Sequence, residues 1–162
     1  MMPYYELGRQ KDFIKSAGEL FSKKYKHINK RMVKDAALAA YAELDRYYAD
    51  VAAEGKKAIA HADEHGLDIA VIAGRPYHID PEINHGIDRL IQSYGMVIVS
   101  EDAVAPLGDM PVVNVLNQWT YHSRMYAAAN WAVHRPNAQL IQLVSFGCGI
   151  DAITTDEMRA IT

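Results

Sequence analysis

The sequence predicts an α/β protein: a small parallel β-sheet flanked by helices and preceded by a helical hairpin or arm. Three observations carry this expectation. Apolar runs stand at residues 69–73, 96–99 and, interrupted only by Gln142, 140–144, and the first has the continuous hydrophobicity of a strand covered on both faces. Helical patterns long enough for crossovers separate those runs, so the strands are expected to lie parallel with right-handed connections. Residues 1–66 carry helical periodicity alone, which divides the chain into a helical arm, 1–66, and an α/β domain, 67–162.

The first helix is expected over residues 4–25. Phe13, Ile14, Ala17, Leu20 and Phe21 recur at helical spacing, with Lys11, Lys15, Lys23 and Lys24 on a solvated face. A second helix runs from Lys30 towards His65, loosened at Gly55. Its residues Val33, Ala37, Ala40, Leu44, Tyr47 and Val51 follow heptad spacing, a small-residue seam on which another helix can lie closely. That seam packs either on the following domain or on a second copy, giving a homo-oligomer through the arm. At the helix end His61 and His65 complete an H-x-x-E-H pattern, and histidines four apart share a face able to hold zinc. Gly66 follows at once and no strong third ligand stands nearby, which favours histidines placed for the helix dipole.

The first strand ends at Gly74, and the loop Arg75, Pro76, Tyr77, His78, Ile79 leads to a helix. Asp80 is its expected N-cap, Pro81 its first residue and Glu82 part of its first turn, with Ile83, Ile87, Leu90 and Ile91 on the buried stripe. Gly95 closes it before the second strand. Residues 100–111 read as a loop and residues 113–134 as a helix that stops before Arg135-Pro136. After the third strand, Thr154 and Glu157 have capping-box spacing for a short last helix over 155–161.

In such sheets ligands settle beyond the carboxyl ends of the strands, where the loops here bring Arg75, Tyr77, His78, Glu101, Asp102 and Cys148. Cys148, the single cysteine, sits in Phe146-Gly147-Cys148-Gly149. Flanking glycines let the backbone wrap closely around something held at the sulfur; equally, they let a strand turn with Cys148 packed as an apolar side chain. A nucleophilic Cys148 would need a base, and His78 or His85 would serve if its loop meets the cysteine turn; otherwise these histidines only hydrogen-bond their own loops. Neither a G-x-G-x-x-G nor a G-x-x-x-x-G-K-[ST] pattern follows the first strand, which leaves Arg75 and the amides of the helix at Pro81 as the candidate phosphate contacts, against the negative charge of Asp80.

Composition narrows the partners. The 162 residues are half hydrophobic and carry a net charge of −3, so neither disorder nor general nucleic-acid binding is expected. No apolar run is long enough for a membrane span, no secretory segment stands at the start, and one cysteine makes no internal disulfide. A cytoplasmic protein with no membrane or nucleic-acid partner is the expectation.

Three segments carry a resemblance: VIAGRPYHIDPEINHG over 71–86, QWTYHSRMYAAAN over 118–130 and SFGCGIDAITTD over 145–156. They resemble the acyl-CoA dehydratase activase-related proteins, in a region similar to the D component of 2-hydroxyglutaryl-CoA dehydratase and to benzoyl-CoA reductase. The resemblance covers roughly residues 30–162. It implies a Rossmann-like, three-layer α/β domain, here a C-terminal fragment excised from a larger chain. It implies that Cys148 supplies one ligand to a [4Fe–4S] cluster in electron transfer to a 2-hydroxyacyl-CoA dehydratase-type reaction. Arg75, Tyr77 and His78 would stand beside the cluster or an acyl-CoA substrate. Such a cluster ordinarily takes several thiolates, so none is expected in this chain alone. Its other ligands would come from the remaining domains of the parent, another chain or a non-protein group. The ATP-binding motifs of an activase are missing, and ATP hydrolysis is not assigned to these residues. A non-catalytic scaffold or docking domain is the alternative; a stand-alone thiol enzyme is a third reading.

Overall fold

The computed structural model describes residues 8–145 and 147–162, and the chain divides into two compact units, Met1–Tyr47 and Tyr48–Thr162. The first unit pairs α1, Gln10–Lys24, with the opening part of α2, Lys30–His65. Residues 4–7 of the expected first helix lie outside the described residues, and Gly8 and Arg9 are not helical. Asn29 starts α2 by accepting the Met32 amide at Oδ1, 2.9 Å. Phe13 meets Tyr41 edge-on, ring centroids 6.0 Å apart, and Ala17 and Ala37 are buried. The heptad seam is covered unevenly, since Ala37 is buried while Leu44 and Tyr47 are exposed. Among the described residues no helix is long and apolar enough to cross a membrane.

The second unit is built on a three-stranded parallel sheet, order β2-β1-β3, with β1 at Ile69–Ala73, β2 at Val97–Ser100 and β3 at Ala138–Gln142. β1 pairs with both neighbours, Ile69 facing Val97 on one side and Ala138 on the other. All five β1 residues are buried, as a strand covered on both faces requires. Alternation sends Ala70 and Ile72 to one face, where they meet Ile91 of α3, Ile87–Ser93. Ile69 and Val71 point to the other, against Ile59 and Ala62 of α2 and Ala128 and Ala132 of α5, Thr120–Val133. The result is three layers. Full burial of each Ile or Val contributes roughly 1.5–3 kcal/mol, so β1 anchors the unit.

Several boundaries differ from expectation, each for a local reason. No α-helix begins at Pro81: Asp80 Oδ1 accepts the Glu82 amide in a tight turn, and His85 at φ 53° and Gly86 at φ 81° then break the helical ladder, so α3 starts at Ile87. The loop expected over 100–111 contains α4, Glu101–Val104, and a 3₁₀ turn, Ala105–Leu107. The helix expected from residue 113 begins at Thr120, after a segment in which Val112, Val113 and Val115 disfavour helix. β3 begins two residues earlier than the apolar run suggested, at Ala138. Gly55 does not loosen α2; it is buried there because a Cβ would lie 2.7 Å from the Ala103 Cβ.

The last helix, α6, runs over Gly149–Ile161 with Cys148 as its N-cap. The Thr154–Glu157 capping box does not form. Thr154 is inside the helix and bonds back to the Ile150 carbonyl at 2.9 Å, while Glu157 accepts the Asn114 amide at 3.0 Å.

Candidate functional site

Two loops leaving adjacent strands at their carboxyl ends build the site. Gly74 follows β1 directly, and there a Cβ would lie 2.5 Å from His78 Nδ1 and 3.0 Å from the Leu143 carbonyl oxygen, so a side chain here would block the turn. A 3₁₀ turn, Pro76–Ile79, then folds His78 back beneath Arg75, whose amide donates to His78 Nδ1 at 3.0 Å. Burial, opposed by Asp151 and reinforced by the Arg75 guanidinium, holds His78 below its ordinary imidazole value. His78 is therefore a neutral acceptor at Nδ1.

The loop after β3 delivers Ser145 and Cys148 and then the first turn of α6; Phe146, in the expected Phe-Gly-Cys-Gly turn, lies outside the described residues. Asp151 sits in that first turn, 4% exposed, and its two oxygens serve both loops. Oδ2 accepts the Ser145 amide at 2.8 Å and Oδ1 accepts Arg75 Nη2 at 2.8 Å. The same Nη2 donates to Cys148 Sγ at 3.1 Å. Tyr77 and Ser145 are joined hydroxyl to hydroxyl. Burial alone would raise the Asp151 carboxyl, yet the Ser145 amide and Arg75 together hold it below the usual carboxylate range. Arg75, raised chiefly by its bond to Asp151, stays cationic.

His122 of α5 completes the cluster. Its Nε2 is 3.8 Å from Asp151 Oδ1, too far for a hydrogen bond, and its ring stands 5.6 Å from that of Trp119. Burial, reinforced by Arg75, depresses this imidazole also. After β2, Glu101 turns to α5, where Arg124 binds it with both Nε, 3.0 Å, and Nη2, 2.7 Å. Burial, only partly offset by Arg124, pushes the Glu101 carboxyl up to about 7.

The structure thus brings Arg75, Tyr77 and Cys148 onto one rim, with His78 buried behind Arg75. The group that reaches the sulfur is a guanidinium. His78 Nδ1 is engaged by the Arg75 amide, and His85 is exposed at positive φ. Asp151, Ser145 and His122 were not singled out by sequence. Asp151 could have been found from its position three residues after Cys148 had α6 been started correctly; no periodicity marks His122. The His61–His65 pair is exposed, with His65 Nδ1 bonded to the His61 carbonyl at 2.8 Å. Among the described residues no three or more His, Cys, Asp and Glu side chains stand close enough to hold a metal ion. A cluster held wholly by these residues does not fit; what the rim offers is one sulfur with a cationic donor beside it.

Fold and site define a parallel α/β domain whose loops meet in a thiol–guanidinium–carboxylate cluster at the strand ends. Residues 1–104 match the CoA enzyme activase uncharacterised domain, and the chain belongs to that family. The match takes in Arg75, Tyr77 and His78 and ends before Cys148. No curated protein and no solved structure matches the chain.

Proposed function

We propose that this chain is a domain of a larger iron–sulfur acyl-CoA dehydratase–activase system, with a region similar to the dehydratase D component, in which Cys148 supplies one thiolate to a [4Fe–4S] cluster. The observation that carries the reading is the 3.1 Å contact from Arg75 Nη2 to Cys148 Sγ on the open rim of the sheet. A cationic donor at that distance holds the sulfur in one orientation on the rim and would offset negative charge on a bound ligand set. Asp151 holds the guanidinium in place, and the Ser145 amide holds Asp151. When bound, the cluster would supply one-electron transfer. The residues of this chain would orient one of its ligands, Cys148, and Arg75 would offset its negative charge. Tyr77 is 44% exposed on the same rim, and on this reading it would touch an incoming acyl-CoA.

Anaerobic iron–sulfide reconstitution of the full-length parent, with native Cys148 and with Cys148→Ser, tests the assignment. Loss of iron and of visible absorption in the variant is the expected result. Equal iron content and unchanged spectra would remove Cys148 from the ligand set.

One observation favours a second, docking role. Leu20, Phe21, Met32, Leu38 and Leu44 of the first unit are all exposed, which suits helices that assemble on another surface. A strictly monomeric chain in sedimentation, at all concentrations, would count against self-association through them.

A further inference from the structure

Beside the rim, and separate from the sulfur, α5, α6 and the segment leading into α5 enclose a cavity of about 210 Å³. Its walls are mostly apolar, from Val115, Ile150 and Ile153, with the aromatic rings of Trp119 and Tyr126, and it also takes in His122. His122 is 5% exposed, yet neither ring nitrogen has a hydrogen-bond partner. A buried imidazole without partners costs free energy that native structures rarely leave unrecovered. From this cavity and this histidine we infer a binding site for a small uncharged molecule, about the size of a single ring, that bears one hydroxyl group.

The chemistry of the walls selects that class. Nε2 faces Asp151 Oδ1 at 3.8 Å, so the ring proton belongs on Nε2 and Nδ1 is left as an acceptor. Burial and the neighbouring Arg75 keep the imidazole below its ordinary value, which makes it neutral near pH 7. A ligand must therefore donate to Nδ1, and a carboxylate would have no proton to give while lying close to Asp151. An ammonium would have to lose its hydration in a mostly apolar cavity with no unpaired carboxylate to neutralise it, since Asp151 is already paired with Arg75. Size points the same way: apolar cavities of about 150 Å³ accept benzene, while sites for drug-sized ligands begin near 300 Å³. Trp119 and Ile153, each 46% exposed, leave the cavity open to solvent.

Titration of the whole chain with phenol, toluene and benzoate, followed through the His122 imidazole ¹⁵N and ¹H resonances, tests the site. Phenol should shift those resonances saturably. Toluene, of similar shape but without a donor, should bind at least about fivefold more weakly, and benzoate should not bind. Ile153→Trp, on the exposed side of α6, should block the cavity and abolish the phenol shift with the fold intact. His122→Phe should erase the preference for phenol over toluene. Equal affinity for phenol and toluene in the native chain, the absence of a saturable shift, or undiminished phenol binding by Ile153→Trp would each overturn the inference.

Discussion

Asp151 positions Arg75: its Oδ1 accepts Nη2 at 2.8 Å, and that same nitrogen reaches Cys148 Sγ at 3.1 Å. The carboxylate is buried on the first turn of α6, three residues after the cysteine, so one helical turn sets the spacing between thiol and counter-charge. The guanidinium comes from the loop after β1, and the contact therefore ties two adjacent strand ends together.

Asp151→Asn should weaken this tie. A hydrogen bond to a charged group contributes about 1.5–3 kcal/mol, and the amide loses both the charge and one acceptor oxygen. The pH dependence has a definite sign. Asp151 is held below its ordinary 3.8, so its stabilising contribution is present above that pH and is lost as pH falls through the lower, folded-state value. Urea unfolding from pH 7 down to pH 2 should show the variant less stable at neutral pH, with the gap closing in acid. A gap that persists undiminished at the acid end would contradict the assignment.

Arg75→Ala removes the charged partner of Asp151 and leaves its carboxylate to the Ser145 amide and weaker neighbours, and breaking a buried pair from one side costs about 3 kcal/mol. Arg75→Lys should recover part of that loss, because an ammonium restores the charge but cannot reproduce the planar fork. A double-mutant cycle with Asp151→Asn should give a coupling of about 1–3 kcal/mol. Additive losses would mean that the two side chains do not act on each other in solution.

Glu101 predicts an opposite slope. Burial raises its carboxyl from 4.5 to about 7 despite the two bonds from Arg124, so the folded chain holds this proton more tightly than the unfolded one. Its contribution is complete below pH 4.5 and is lost as pH rises towards about 7. Glu101→Gln removes that titration. Native and variant unfolding free energies, measured from pH 4 to pH 8, should diverge over this window by a few kcal/mol in favour of the variant at the upper end. Parallel curves would show that folding leaves the Glu101 pKa unchanged.

What was legible in the sequence followed from periodicity. β1 could be read residue for residue because a central parallel strand is apolar without interruption, and the extent of α2 because helical periodicity, with heptad spacing from Val33 to Val51, leads on to the Gly66 stop. The loops near the site were misread where tertiary contacts outweighed local signals. Asp80-Pro81-Glu82 has helix-start chemistry, yet positive φ at His85 and Gly86 confines it to turns. Thr154 and Glu157 look like a capping box, yet the helix had already begun at Gly149. That displacement hid Asp151, and with it the reason Arg75 meets Cys148. His122 was out of reach for a different cause, since a buried polar residue on a helical stripe is recognisable only once its missing partners are counted.

Gly55 offers a test in which two ordinary effects oppose each other. In the interior of α2, alanine is intrinsically better than glycine by about 1 kcal/mol, and Gly55→Ala would stabilise an isolated helix. In the folded chain the new Cβ would lie 2.7 Å from the Ala103 Cβ and 3.3 Å from the Ala103 carbonyl oxygen, and both contacts involve atoms with no free torsion to retreat by. Overpacking of this kind costs about 1–3 kcal/mol, which outweighs the propensity gain once α2 and α4 have to part. The variant should therefore unfold at lower urea, and the loss should be smaller when Ala103→Gly is added, because that change removes the closer of the two atoms. A Gly55→Ala chain more stable than the native one would show that α4 yields freely at this contact and that the glycine is not there to let the two helices approach.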